Sequence, residues 1–183
     1  MSWRILLEDL ESLLIGQPLP TPTASWPQWA RQLAHWPTTP EARPSLNYWS
    51  TIQPVPEAGL TLESGTFAHT VALDEANTTA LLHRAPAAYR TRINDLLLTA
   101  LTLAHQTKAP SPFLSLHLEG HGREETLAPG LLLDRTIGWF TAIFPVHLSL
   151  PSPDPAQAIP SIKEQLRALP DHGASHQLQT TEN

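Results

Sequence analysis

The densest group of ionisable side chains lies in one short segment, residues 119–125. Five of its seven positions titrate: Glu119, His121, Arg123, Glu124 and Glu125. Gly120 and Gly122 lie between them and permit a tight turn or the close approach of a ligand to the backbone. A carboxylate at such a turn suits proton transfer when burial lifts its pKa towards neutrality. We therefore take Glu119 as a candidate general acid or base.

The segment Phe113–Leu118, which precedes Glu119, predicts a β-strand. Side chains alternate between the two faces of a strand, so its leucines share one face and Glu119 falls on the other. An ordinary ion pair of Glu119 with Arg123 or Arg135 is the alternative interpretation. Structural ion pairs are more common than functional carboxylates, so these residues by themselves leave both interpretations open.

A second segment of interest is Arg135–Thr141, in which Gly138 precedes the aromatic pair Trp139 and Phe140. Such a pair lines a pocket in some proteins and packs in the core in more of them. The pattern predicts a strand over Trp139–Leu150 that is bent or bulged at its internal proline, because proline cannot donate to a ladder.

The elements around these segments begin with an amphipathic helix over residues 1–16. Its apolar side chains recur at helical spacing, Ser2 is placed to cap its start, and Gly16 is placed to end it. The apolar stripe consists of Trp3, Leu6, Leu7, Leu10, Leu13 and Leu14.

Three further regions follow. Residues 17–64 form a connector rich in proline and tryptophan, with short helices expected at Trp26–His35 and near Asn47–Trp49. Its aromatic content predicts a segment that packs on a surface, since disordered linkers are poor in aromatics. Residues 65–172 alternate between strand and helix patterns, which indicates a layered α/β fold. Residues 173–183 are polar and without periodicity, and we expect them to be disordered.

Within the third region the pattern predicts a strand at Thr66–Leu73 and three helices. The helices are capped by Asp74, Thr91 and Asp154. Pro160 is expected to kink the last helix or to delay its start. The middle helix carries the apolar stripe Ile93, Leu96, Leu97, Ala100, Leu101 and Ala104.

Composition excludes several classes of function. The 183 residues include 11 Lys+Arg and 17 Asp+Glu, a net charge of −6 that gives no basic face for nucleic acid or an anionic membrane. The absence of Cys excludes disulfides and thiolate metal sites. No apolar run reaches the ~20 residues of a membrane span, and the N-terminus lacks a signal-peptide pattern. We expect a cytoplasmic protein that interacts with neither nucleic acid nor membrane.

Three motifs in fixed order resemble the signature motifs of epimerization domains of nonribosomal peptide synthetases, which belong to the condensation-domain superfamily. They are Tyr89–Leu101, the string Glu-Gly-His-Gly-Arg-Glu at 119–124, and Arg-Thr-Ile-Gly-Trp-Phe-Thr at 135–141. The leading helix resembles the one that follows the family's His-His-x-x-x-Asp-Gly motif. That motif, the lobe before it and the family's C-terminal motifs are absent from the sequence. The resemblance therefore implies an internal fragment.

The resemblance implies an α/β fold of the chloramphenicol-acetyltransferase-like kind. This chain would supply the edge of the N-terminal lobe and most of the C-terminal lobe. The implied reaction is inversion of L- to D-aminoacyl or peptidyl thioesters, which a partner carrier protein holds on its phosphopantetheine arm. No cofactor or metal would bind the chain directly. Besides the carrier protein, the implied partners are neighbouring synthetase domains or the missing lobe.

In this family Glu119 matches one of two groups that exchange the Cα proton, and a histidine of the absent motif is the other. We therefore expect the chain alone to be inactive. His121, Trp139 and Thr141 are candidates for the substrate tunnel. The remaining motif residues are expected to be structural: Gly120, Gly122, Arg123, Arg135 and Gly138.

Two alternatives to this function remain. The chain could be a non-catalytic remnant or a module that docks on a carrier protein or synthetase. A fragment of a condensation domain is disfavoured by the string at 119–124. Because a missing lobe would normally cover them, we expect Trp3, Leu6 and Leu10 to be exposed.

Overall fold

The computed structural model describes residues 1–55, 69–108 and 111–179. No helix in these ranges is both long enough and apolar enough to cross a bilayer. The chain divides into two compact units. Unit 1 consists of Met1–Gln53, Leu118–Phe144 and Leu169–Asn183, and unit 2 of Pro54–His117 and Pro145–Ala168.

The described part of unit 1 contains three α-helices: α1 (Ser2–Leu14), α2 (Trp26–His35) and α3 (Arg43–Thr51). The short helix predicted at Trp26–His35 is confirmed, and the one predicted near Asn47–Trp49 is part of the longer α3. A reciprocal pair of hydrogen bonds starts α2. The Ser25 side chain accepts from the Gln28 N–H, and the Gln28 side chain accepts from the Ser25 N–H.

Tryptophans dominate the core of unit 1. The indole N–H of Trp49 is buried and donates to Ser175 Oγ at 2.8 Å, which satisfies the polar end of that ring. Large rings supply much of the apolar area that a small unit needs to bury. The main cluster of buried residues comprises Trp29, Trp36, Ala42, Leu127, Ala128, Leu133, Ala142 and Ala174.

Helix α1 is present but is capped differently from the prediction. The predicted N-cap, Ser2, is the first helical residue, and its Oγ donates to the Gly138 carbonyl and accepts from the Gly138 N–H. Gly16 follows the helix with a left-handed φ of 72°, as predicted for a helix end. Ile5 is buried, whereas the stripe residues Trp3, Leu6 and Leu10 are exposed, as predicted.

Two strands pair as a sheet: β1 (Phe113–Gly120) and β2 (Ala142–Ser149). The predicted strand at Trp139–Leu150 therefore begins later than expected, at Ala142. The strand predicted at Thr66–Leu73 is wrong for residues 69–73, which have no regular structure, and its first three residues lie outside the described ranges.

The described part of unit 2 contains four α-helices. These are α4 (Glu75–Thr79), α5 (Ala85–Tyr89), α6 (Ile93–Lys108) and α7 (Pro155–Arg167), and a π-helical turn joins α4 to α5. Helix α6 packs on α7. Asp74 and Asp154 cap their helices through their carboxylates, as predicted. The cap predicted at Thr91 is wrong: its hydroxyl has no hydrogen-bond partner among the described residues.

The two long helices of unit 2 differ from prediction in detail. Helix α7 begins at Pro155 and continues through Pro160, so its start is not delayed. Helix α6 buries Leu96, Thr99 and Thr102 and exposes other members of the predicted stripe, Leu97 and Leu101 among them. Both threonine hydroxyls donate to the carbonyl four residues earlier, which satisfies them in the buried face.

The C-terminal segment is not the disordered tail predicted for 173–183. Pro170–Leu178 forms a 3₁₀-helical segment that includes residues with left-handed φ. Gly173, Ala174 and Ser175 are buried. Residues 180–183 lie outside the described ranges, so the correction applies to 173–178.

Candidate functional site

Unit 1 contains a largely apolar cavity of about 550 Å³. Three residues predicted to line a substrate tunnel, His121, Trp139 and Thr141, lie together on its wall. The rest of the lining comes from Met1, Ser2, Trp3, Leu6, Arg123, Ile137, Gly138 and Phe140. The lining of the cavity therefore comes from the start of α1 and from segments 119–124 and 135–141.

Glu119 is the penultimate residue of β1, and its side chain is exposed. It does not belong to the lining of the 550 Å³ cavity. Among the described residues it forms no ion pair, because Arg135 binds α1 and Arg123 binds a carbonyl. The alternative in which Glu119 pairs with either arginine is therefore wrong.

Arg123 holds the turn after β1 against the segment that precedes β2. Its guanidinium carbon lies 3.8 Å from the centre of the Phe140 ring, and its Nη1 donates to the Leu133 carbonyl at 2.7 Å. Burial lowers the pKa of Arg123, and the nearby Asp134 carboxylate opposes that shift. The predicted structural role of Arg123 agrees with these contacts.

Two glycines allow backbones and rings to approach within the site. Gly122 has a φ of +65°, and a Cβ there would overlap the Phe140 carbonyl oxygen. Gly138 lies against the Trp26 ring, where a Cβ would also overlap. Gly120 is less constrained, since a Cβ would lie 3.3 Å from the His172 carbonyl oxygen and from the Phe144 ring.

Arg135 attaches α1 to segment 135–141, which precedes β2. Its Nη1 donates to Glu8 at 3.0 Å and its Nη2 donates to Asp9. The hydrogen bond to Glu8 is the main reason that the pKa of Arg135 is raised, with the charge of Asp9 adding to it. The polar face of α1 is therefore the face that is held.

Sequence reasoning missed the contacts made by Glu124 in the turn after β1. It is buried, and its Oε2 lies 3.0 Å from His172 Nδ1, while its Oε1 lies 3.4 Å from His121 Nε2. The sequence identifies Glu124 as one ionisable side chain among five. Its partner His172 is 48 positions away, next to the segment that was expected to be disordered, so no local pattern predicts the pair.

A smaller cavity of about 190 Å³ lies beside α2. It shares Trp139, Phe140 and Thr141 with the larger cavity and adds Trp26 and Trp29. The Trp26 and Phe140 rings meet edge to face with centroids 4.8 Å apart. Within the described ranges, no group of three or more His, Asp or Glu side chains is placed to hold a metal ion.

The family is shown by a match of residues 1–177 to the condensation domain model, and the chain belongs to that family. Among curated relatives, it is 43% identical over 97% of its length to chondramide synthase cmdD from Chondromyces crocatus. It spans 5% of that relative's length.

Two solved structures establish the fold. The epimerization domain from the third module of tyrocidine synthetase B is 34% identical, with a TM-score of 0.77 over 98% of this chain and 43% of that one. The first condensation domain of the calcium-dependent antibiotic synthetase is 17% identical, with a TM-score of 0.60 over 97% of this chain and 42% of that one. The α/β condensation-domain fold predicted from the motifs is confirmed, and the chain spans less than half of each solved domain.

Proposed function

We propose that the chain supplies the Glu119 side of an epimerization site in a nonribosomal peptide synthetase. The substrate would be an aminoacyl or peptidyl thioester on the phosphopantetheine arm of a carrier protein. Inversion requires removal of the Cα proton from one face, stabilisation of the enolate-like intermediate and return of a proton to the other face. Glu119 would exchange the proton on one of those faces.

The observation that carries this proposal is the exposure of the Glu119 carboxylate and its lack of an ion pair with the described residues. Its carboxylate is exposed at the end of a strand and forms no ion pair with the described residues, so no cation has to be displaced before it meets Cα–H. The turn that follows it is held by Arg123 and by the close approach of Gly122 to Phe140, which favours a fixed position for the carboxylate.

The likeness to a solved epimerization domain, which is 34% identical over 98% of this chain, supports epimerization. The likeness to the solved condensation domain, at 17% identity, is an argument about fold alone. In the proposed site His121, Trp139 and Thr141 line the 550 Å³ cavity, and Glu119 lies two residues before His121 in the chain.

A non-catalytic docking role is the second candidate, and one observation favours it. Helix α1 presents Trp3, Leu6 and Leu10 to solvent while polar contacts hold its opposite face. An apolar helix face of this kind suits packing against another polypeptide surface. In the catalytic proposal that surface is the remaining part of the domain, and in the docking proposal it is a synthetase neighbour.

The test uses a complete epimerization domain in which residues 1–177 of this chain replace the matching segment. A carrier protein loaded with an L-aminoacyl thioester is incubated with it in deuterated water, and both Cα deuterium and D-isomer are followed. We expect Glu119→Gln to slow Cα exchange by ~10²–10⁴-fold, the usual range for loss of general acid/base catalysis. Glu125→Gln, which changes a neighbouring exposed carboxylate, should leave the rate unchanged.

The 183-residue chain provides the second arm of the test. We expect it to give no exchange above the protein-free control, because it supplies a proton-transfer group for only one face of Cα. Wild-type exchange by the Glu119→Gln domain would contradict the catalytic proposal. Binding of the complete synthetase module by a chain that never supports exchange would favour docking.

A further inference from the structure

Unit 1 contains a backbone feature that the proposed proton transfer does not use. Asp171, His172 and Gly173 are consecutive residues with left-handed φ values of 48°, 48° and 89°. Residues with a side chain rarely adopt this conformation, and two in succession persist only when surrounding contacts hold them. Residues 171–173, which we call the left-handed turn, must therefore be held in this conformation by contacts with other parts of the chain.

The left-handed turn is held on both sides of His172. The Ser45 hydroxyl donates to Asp171 Oδ2 at 2.7 Å, and the Thr126 hydroxyl donates to Asp171 Oδ1 at 3.4 Å. Gly173 lies against the Phe144 ring so closely that a Cβ would overlap it. These contacts fix the backbone and leave the His172 imidazole directed at Glu124.

Glu124 is the buried member of this arrangement. Its side chain is 11% exposed, whereas the His121 and His172 side chains are 71% and 65% exposed. A buried carboxylate without hydrogen bonds is strongly unfavourable, so each oxygen needs a partner. His172 meets one oxygen at 3.0 Å and His121 meets the other at 3.4 Å.

The remaining nitrogen of His121 is also engaged. The Arg123 backbone N–H donates to His121 Nδ1 at 3.1 Å. A backbone amide only donates, so Nδ1 accepts, and Nε2, which lies 3.4 Å from Glu124 Oε1, is the nitrogen that carries the ring proton. The Arg123 amide therefore holds the His121 ring on the wall of the 550 Å³ cavity, with Nε2 close to Glu124.

We propose that Glu124 is a positioning residue of the candidate site and that the left-handed turn exists to supply its second partner. Glu124, His121 and His172 form what we call the Glu124 clamp. The clamp fixes the turn that follows Glu119 and the orientation of His121. The inference rests on the proposed function only in assigning this turn to an active site.

The test measures hydrogen exchange of the Arg123 amide in the isotopically labelled 183-residue chain. His172→Gly removes the imidazole and at the same time relieves the left-handed backbone, which offsets part of the stability lost with the contact to Glu124. We expect the Arg123 amide to exchange about tenfold faster or more, as loss of a hydrogen bond to a charged group predicts. His172→Asn should restore protection, because asparagine tolerates this backbone and its Nδ2–H donates to Glu124.

Variants of Glu124 give the second comparison. Glu124→Ala should expose the Arg123 amide as His172→Gly does, and Glu124→Gln should retain part of the protection, since its amide still offers an acceptor to His121. Protection of α2 amides reports whether each variant is folded. If Glu124→Ala does not fold, the two His172 variants decide.

Wild-type protection of Arg123 in folded His172→Gly would overturn the clamp, and so would a folded His172→Asn that fails to restore it. Neither readout uses a thioester, so the clamp and the proposed function fail separately. In the complete domain that carries this segment, we expect His172→Gly to lower kcat with little change in KM and His172→Asn to recover it. A change in KM alone would contradict a positioning role.

Discussion

Helices α1 and α2 belong to the same unit and have similar amphipathic patterns, but they are held in opposite ways. Helix α2 buries Trp29, which is 2% exposed, and Trp26 and Trp29 both contact Phe140. Helix α1 is held through Ser2 and Arg135 on its polar side and leaves Trp3 78% exposed. Periodicity therefore predicts a helix and its stripe, whereas contacts from elsewhere in the chain decide which face is covered.

The largest change in the free energy of unfolding that this comparison predicts is for a substitution at Trp29. Trp29→Ala removes a ring from the core cluster and leaves a cavity, which typically costs ~3–5 kcal/mol. Chemical denaturation followed by circular dichroism measures the loss. Trp3→Ala is the matched change on α1 and should stay within about 0.5 kcal/mol of wild type. Equal losses from the two variants would show that the apolar face of α1 is covered after all.

Gly122 tests how tightly the turn after β1 is packed. Gly122→Ala adds a Cβ against the Phe140 carbonyl as well as strain at φ +65°, and we expect a loss of ~1–3 kcal/mol in the free energy of unfolding. Gly130→Ala is the control, because its φ is +84° and nothing lies within 4 Å of its added Cβ. The difference between the two isolates the close approach. Similar losses would mean that strain alone sets the cost.

Arg135 tests the polar attachment of α1. Arg135→Ala removes the hydrogen bonds to Glu8 and Asp9, so the amides of α1 should exchange faster while those of α2 keep their protection. Arg4→Ala is the control, since Arg4 pairs with Glu8 at 3.2 Å within α1 and does not join the helix to another segment. Unchanged exchange in the Arg135 variant would assign the attachment to Ser2 alone.

Local patterns predicted the elements better than their ends. Asp74 and Asp154 cap helices as predicted because the groups that they satisfy lie within three residues. Ser2 has the same capping chemistry, but its hydroxyl binds Gly138, 136 positions away. Long-range competition of this kind leaves no trace in the sequence around Ser2.

Burial was harder to predict where polar residues find internal partners. The apolar stripe of α6 predicts Leu97 and Leu101 as core residues, yet Thr99 and Thr102 are buried in their place. Their hydroxyls bond to the preceding turn of the helix and thus enter an apolar face without an unsatisfied group. Similarly, the motif at 119–124 identified the turn of the candidate site, whereas the partner of Glu124 required the fold.

The smallest expected effect is at Leu10, and it sharpens the contrast between the two faces of α1. Leu10→Lys places a charge at a position that is already 52% exposed, so the free energy of unfolding should change by less than about 0.5 kcal/mol. Ile5→Lys places the same charge at a residue that is 2% exposed, where burial of an unpaired ammonium is strongly unfavourable, and this variant should unfold. Denaturation midpoints compare the stability of the two variants. Sedimentation velocity reports association between copies, and dye binding reports the apolar surface that Leu10→Lys removes.

A large loss of stability from Leu10→Lys would show that the exposed stripe is packed in solution, either on another copy or on this chain. A small loss together with weaker dye binding would establish that Leu10 lies on an exposed apolar face of α1, while Ile5 and the polar contacts hold the opposite face.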